Sequence, residues 1–212
     1  TNTFDVKVTD RRKNLIHLNA SDIVFSLPPQ SLLNLFPSDG GLSTTYREYI
    51  NKLGKPSGAL VFYGALSRSD LPVDSPAHIQ IFDEHFGSVF ISISMEDDQR
   101  APVGMATVIA SVFVDVDQWS NLDSHAYTNK KNIASKKIIT LLNNTFGLIE
   151  SSWRHKELST PRSFERWTGR PKGIVGGLGQ HPSLFGPFGL SSRTPLEGLW
   201  LCGDSIYPGE GT

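Results

Sequence analysis

The sequence is short of several things, and each shortage narrows what the chain can be. A single cysteine, Cys202, rules out an internal disulfide and gives no sign of an oxidising compartment. No apolar run reaches the roughly 18 residues that suggest a membrane-spanning helix. Neither sign of charge dominates: 20 Lys and Arg face 21 Asp and Glu, so the electrostatic footprint of a nucleic-acid binder is missing. The histidines (His17, His78, His85, His125, His155, His181) never fall into a ligand spacing such as His-x-x-x-His. Glu96-Asp97-Asp98 lacks the regular oxygen spacing of a calcium loop, so no metal site is expected. Ser92, Ser94 and Ser205 stand outside any Gly-x-Ser-x-Gly elbow, and no acid–base pair stands out, so no catalytic residue is assigned. The Gly-x-Gly-x-x-Gly dinucleotide fingerprint is also absent.

What is present describes a globular chain of 212 residues, 38% hydrophobic, long enough for one large domain or two small ones. Phe4, Val6 and Val8 alternate, Asp10 to Asn14 is a polar turn, and Leu15 to Leu18 returns, which predicts a β-hairpin. Asp22 to Leu27 reads as a buried strand closed by Pro28-Pro29. Gln30 to Phe36 predicts a short helix. Tyr46, Tyr49, Ile50 and Leu53 predict another, with Gly54 as its left-handed terminator. The period then changes to two. Ala59–Leu66, His78–Phe82, Ser88–Ser94 and Met105–Val114 are strands, joined by links too short for parallel crossovers, so antiparallel pairing is expected. Several of these strands are apolar or small on both faces, as in a sheet covered on one side and lining a cavity on the other. Asp117 or Asp123 caps a long helix with an apolar stripe (Tyr127, Ala134, Ile138, Leu141, Leu142) that ends at Gly147. Leu148 to Trp153 reads as a further strand, and Ser159 to Gly198 as a long irregular stretch.

The C-terminal stretch, residues 198–212, is the most specific. Leu199 to Cys202 reads as a buried strand, with Cys202 a structural thiol inside it. The strand delivers Gly203 and Asp204 to its carboxyl end, where α/β sheets hold nucleotides. Gly203 permits close backbone approach, and Asp204 offers acceptor oxygens suited to sugar hydroxyls. Gly209 and Gly211 follow in a Pro-Gly-x-Gly turn and would expose backbone N–H groups.

Taken together, Gly198-Leu-Trp-Leu-Cys-Gly-Asp-Ser…Pro-Gly-Glu-Gly-Thr212, Asp22-Ile-Val-Phe-Ser-Leu-Pro-Pro-Gln30, Thr160-Pro-Arg-Ser-Phe-Glu-Arg-Trp-Thr-Gly-Arg-Pro-Lys-Gly173 and Arg193-Thr-Pro195 resemble the phytoene desaturase family. That family holds carotenoid desaturases and isomerases within the amine-oxidase flavoproteins. Glu210 and the Ser205-Ile-Tyr207 insert resemble the cyanobacterial-type desaturases most. The resemblance implies FAD as cofactor, with Gly203, Asp204, Ser205, Gly209, Glu210 and Gly211 as cofactor-binding residues. It implies a piece that lacks the first half of the cofactor site and is inactive alone. The implied fold class is α+β: a mixed, largely antiparallel sheet with helices on one face, plus remnants of the FAD domain. Residues 1–29 would belong to the FAD domain, 30–165 to the substrate domain, and 166–212 to a Gly/Pro-rich return.

The implied function is oxidation of a carotenoid by hydride transfer to flavin. The alternatives are a cis–trans isomerase using reduced flavin and a non-redox prenyl or lipid escort. Phe62, Tyr63, Phe90 and Phe113 on the strands, and Trp167 in the 160–173 stretch, are the candidate carotenoid contacts, with core packing the competing role for each strand aromatic. Gly176-Gly-Leu-Gly179 lacks the flanks of a phosphate cradle and reads as a tight loop near the flavin ring. Lys130, Lys131, Lys136 and Lys137 form either a solvated helix face or a contact with anionic membrane lipid. The expected location is the cytoplasm, with peripheral membrane contact.

Overall fold

The computed structural model describes residues 3–37, 40–54, 56–179, 184 and 188–209. In chain order the elements begin with β1 (Phe4–Thr9), β2 (Leu15–Ala20), β3 (Ile23–Phe25), α1 (Pro29–Leu35) and α2 (Thr44–Lys52). They continue with β4 (Gly58–Ser67), β5 (His78–Asp83), β6 (Gly87–Ile93), β7 (Met105–Val114) and α3 (Ser124–Phe146). The last are β8 (Trp153–Ser159), α4 (Pro161–Thr168) and β9 (Leu199–Leu201). These elements form two units, Ser57–Val175 and the pair Thr1–Pro56 with Gly176–Thr212. Helices α1 and α2 pack in the second of these, around Leu32, Leu42, Ile50 and Leu53.

The Ser57–Val175 unit is a five-stranded sheet in the order β5-β6-β7-β4-β8, antiparallel throughout. The fold is α+β, as the period change in the sequence implies. Alternation sorts the side chains. Leu60, Phe62 and Leu66 of β4, Val89 and Ile91 of β6, and Val108 and Val112 of β7 all fall on one buried face. Against it lies α3, which buries Ala134, Ile138, Leu142 and Phe146, one residue per helical turn. Its ends follow the rules that predicted them. The Asp123 side chain accepts from the Ala126 N–H at the start, and Gly147 takes the left-handed conformation at the end.

One packing detail explains a glycine. A Cβ at Gly64 would stand 2.4 Å from Cζ3 of Trp153, so the bare backbone makes the slot for that indole. Trp153 also meets Phe62 edge-on, with centroids 5.3 Å apart, and its Nε1–H donates to Asn143 Oδ1 at 2.8 Å. Strand β8, helix α3 and the sheet centre are thereby tied at one point.

Three local readings need correction here. The strand expected at 148–153 begins only at Trp153 and runs to Ser159, through the exposed Arg154, His155, Lys156 and Glu157. It is an edge strand, and its charges hide it from a search for apolar alternation. The irregular stretch after Ser159 contains α4, opened by Thr160 and Pro161 and closed by left-handed Gly169. Gly54 follows α2 without a left-handed φ; the helix instead ends at extended Leu53.

The unit formed by the chain's two ends is built differently. Strands β1 and β2 form the expected hairpin, Phe4 opposite Ala20. Strands β3 and β9 pair in parallel, with Ile23 opposite Leu199 and Phe25 opposite Leu201. Among the described residues, no helix is long and apolar enough to cross a membrane, and no cluster of His, Cys, Asp or Glu could hold a metal ion.

Candidate functional site

Two places gather the residues singled out by sequence, one in each unit. The first is the carboxyl end of the β3–β9 pair. The Cys202 N–H donates to Phe25 O at 2.9 Å, which carries the parallel ladder one residue past β9. The chain then turns twice: Ile206 N–H donates to Gly203 O (3.2 Å) and Gly209 N–H to Ile206 O (2.7 Å). Gly203 has φ +106°, a conformation that L side chains avoid, and it is exposed. Among the described residues, a Cβ built there meets only Ser26 O, at 3.4 Å. Asp204 is half-buried and accepts from the Ser205 hydroxyl at 3.3 Å. Cys202, expected inside the strand, lies just beyond it and is exposed.

The Gly176–Gly179 loop is brought to the same place. A Cβ at Gly177 would stand 1.9 Å from the carbonyl oxygen of Asp204, so only glycine allows the two backbones to touch. A cavity of about 20 Å³ adjoins, lined by Leu178, Leu190 and residues 204–209 among others. That is room for roughly one water, so a larger group would lie over the turn and not inside it. A carboxylate at a strand end beside exposed glycine backbone suits a molecule that presents hydroxyls and phosphates. Glu210 and Gly211, the remaining cofactor candidates, lie outside the described residues.

The second place is the face of the five-stranded sheet turned away from α3. Registry aligns Gln80, Phe90, Ser111, Val61 and Ser159 in one row across the strands. The next row holds His78, Ser92, Ile109, Tyr63 and Glu157. Phe90 and Tyr63 are partly exposed, at 46% and 37%, and rise from β6 and β4 on either side of β7. They stand two strands and one row apart, about 12 Å between their backbones, with Ser111 and Ile109 of β7 between them. Phe90 stacks on His78 at 5.6 Å between centroids. Burial, and then the facing Glu157 carboxylate, raise the Tyr63 phenol above its ordinary range, so its hydroxyl keeps its proton at neutral pH.

The other aromatic candidates separate from this pair. Phe62 is fully buried on the helix side of the same strand, where alternation puts it beside Trp153. Phe113 keeps the open-face parity of Ser111 and Ile109 but stands exposed at the end of β7, where it also borders a cleft beside α3. Trp167 is exposed on α4, under the Arg166 guanidinium at 5.6 Å. Sequence reading missed His78, Ile109 and Glu157, although counting in twos from Tyr63 and Phe90 once the strands are in register would have found them.

Over 153 residues, 66% of this chain, it is 32% identical to the chloroplastic prolycopene isomerase of Arabidopsis thaliana. The carrot (Daucus carota) prolycopene isomerase matches over the same length at 29%. The chain is thus related in sequence to these prolycopene isomerases. It spans about a quarter of the length of these relatives, 25% and 24% respectively. No family model matches it. Its fold is that of an amine oxidase: cyclohexylamine oxidase from Brevibacterium oxydans superposes with a TM-score of 0.58 over 93% of this chain and 40% of the oxidase, at 14% identity. Among the described residues, the strand-end turn and the open sheet face are two places where exposed, chemically apt groups converge.

Proposed function

We propose that this chain carries the substrate-holding sheet of a flavin-dependent enzyme that acts on a carotenoid, and that the open sheet face seats the polyene. The observation behind this reading is the pair Phe90 and Tyr63, standing exposed on either side of β7, whose Ser111 and half-buried Ile109 form the floor between them. A polyene is a long apolar rod with nothing to hydrogen-bond. It must be aligned by contact area, and aromatic side chains offer the most area for the least lost rotamer freedom. Tyr63 and Glu157 would set the polar limit of the seat.

Gly203, Asp204, Ser205 and Gly209 would hold FAD, together with Glu210 and Gly211. When bound, FAD supplies the hydride and electron chemistry that side chains lack. The chain's own contribution is to orient the substrate and exclude water, which agrees with a sequence that offers no acid–base pair.

Isomerisation and desaturation both fit such a seat. The names of the plant relatives favour isomerisation, whereas Glu210 and the Ser205–Tyr207 insert resemble desaturases. Incubation of the full-length flavoprotein with a poly-cis carotenoid separates them by product mass. An unchanged mass with a shifted chromatographic position means isomerisation, and loss of a pair of hydrogens means desaturation. Retention of unaltered carotenoid would remove both and leave an escort role.

Tyr63→Ala and Phe90→Ala test the seat itself. Each should raise KM about tenfold to hundredfold, the equivalent of roughly 1.5–3 kcal/mol of lost aromatic burial, with little change in melting temperature. An unchanged KM for both variants removes the open face from the mechanism.

A further inference from the structure

A cleft on the other side of the sheet has no place in the polyene seat. A cavity of about 400 Å³ opens between α3, the tip of the β5–β6 hairpin and the 115–119 turn. Leu60, Phe86, Trp119 and Ile133 give it apolar walls, and Lys130 and Lys137 line it as well. A second cavity of about 370 Å³ shares His85, Phe86 and Lys137 with the first and adds Lys136. The volume is that of a small-molecule site.

The charges in this cleft are unevenly committed. Two carboxylates also line the cavities, but both cap backbone. Asp83 accepts from the His85 and Phe86 N–H groups (2.9 and 2.8 Å), and Asp115 accepts from the Asp117 N–H at 2.9 Å. None of the three lysines meets a carboxylate among the described residues. The Lys137 ammonium contacts only the His85 ring, at 3.1 Å, and the Lys130 ammonium meets a neutral carbonyl, Gln118 O, at 2.7 Å while lying 5.0 Å over the Trp119 ring. Each ammonium has three hydrogens to donate, so both retain capacity for an anion. Ile133, one turn from each of these lysines on α3, is 48% exposed between them. An apolar trough flanked by uncommitted ammonium groups is complementary to one kind of molecule.

We propose that this cleft binds a single-chain amphipathic anion, with its carboxylate or phosphate head between Lys130 and Lys137 and its hydrocarbon chain along Phe86, Trp119 and Ile133. The site lies across the sheet from Tyr63 and Phe90, so it stands independently of the polyene seat. The head could belong to a free acid or to a membrane lipid. The test therefore runs decanoate, inorganic phosphate, decyltrimethylammonium and anionic phospholipid vesicles in parallel against the full-length protein by titration calorimetry.

Decanoate should bind saturably at one site, and added salt should weaken it as it screens the head group. Phosphate, lacking a chain, and decyltrimethylammonium, with the same chain length and the opposite head, should each bind at least tenfold more weakly. The double variant Lys130→Ala/Lys137→Ala should lose at least tenfold in decanoate affinity. Lys131→Ala, which lies off the cleft, and Phe90→Ala, on the opposite face, should lose none. Equal binding of decanoate and decyltrimethylammonium would overturn the assignment, as would full affinity in the double variant or a response to vesicles alone. Because the lysines are surface groups, circular dichroism of the double variant should match that of the parent, and an Ile133→Glu variant supplies an independent block of the chain path.

Discussion

The two units of this molecule are made by opposite strategies. Between Ser57 and Val175 every strand pairs with partners from the same contiguous segment, and the buried face reaches essentially zero exposure at Phe62, Leu66, Val89, Ile91 and Val108. The other unit joins the chain's two ends through a parallel pair whose strands lie more than 170 positions apart in sequence, Ile23 opposite Leu199. Its strands keep much apolar surface open: Val24 is 66% exposed, Leu15 61% and Leu18 51%. One unit is held by a deep core. The other has a smaller core around Leu32, Ile50, Leu199 and Leu201, and its strand-end turn is set in addition by a close backbone approach at Gly177.

That contrast can be pressed experimentally, beginning where the effect should be greatest. Phe62→Ala empties a fully buried site against Trp153 and should cost about 3–5 kcal/mol in urea unfolding of the full-length protein. A cost below about 1 kcal/mol would mean that the contiguous unit is not organised around this core. Gly177→Ala puts a methyl group into the Asp204 carbonyl. It should cost about 1–3 kcal/mol and lower flavin retention on gel filtration, because the strand-end turn must shift. Asp204→Ala leaves that backbone contact in place. It should weaken FAD binding about tenfold or more, the value of one hydrogen bond to a charged group, with little change in unfolding. Full flavin retention in both variants would remove the turn from the cofactor site.

The smallest effect belongs to a loop of the contiguous unit. Hydrogen bonding from the Arg100 side chain, aided by backbone N–H groups of Arg100 and Met95, holds the exposed Asp98 carboxyl down at about 2. A depressed folded pKa stabilises above the ordinary carboxylate range near 4 and loses that contribution as pH falls through about 2. Asp98→Asn should lower the neutral-pH midpoint slightly and flatten this part of the acid unfolding curve, the variant and the parent converging as pH falls towards 2. A variant with the parent's acid profile would show that the loop carries no linkage.

The same contrast governs how much could be read in advance. Strands β4 to β7 were legible to within about a residue because their pairing is local and their alternation is strict. Helix α3 was legible from Asp123 and Gly147. Strand β8 was not, since Arg154 to Glu157 belong to an edge whose side chains answer to solvent. At the candidate sites, Gly203 and Asp204 could be found because a strand end is a local feature. The contact between Gly177 and Asp204 could not, for nothing in either stretch encodes its partner. Phe62 and Tyr63 are neighbours in sequence and opposites in space, so which of them lines the open face depends on the strand's parity, and composition is blind to that.

The edge formed by β8 has a consequence for how copies of the chain meet one another. A sheet with an uncovered face that carries exposed aromatics and with a free border is a template on which chains can stack. Here the border carries Arg154, His155, Lys156 and Glu157 in succession, all turned to water. A second strand docking there would have to desolvate mixed charges at every rung. The open face with Tyr63 and Phe90 can thus stay uncovered without its border inviting another copy of the chain.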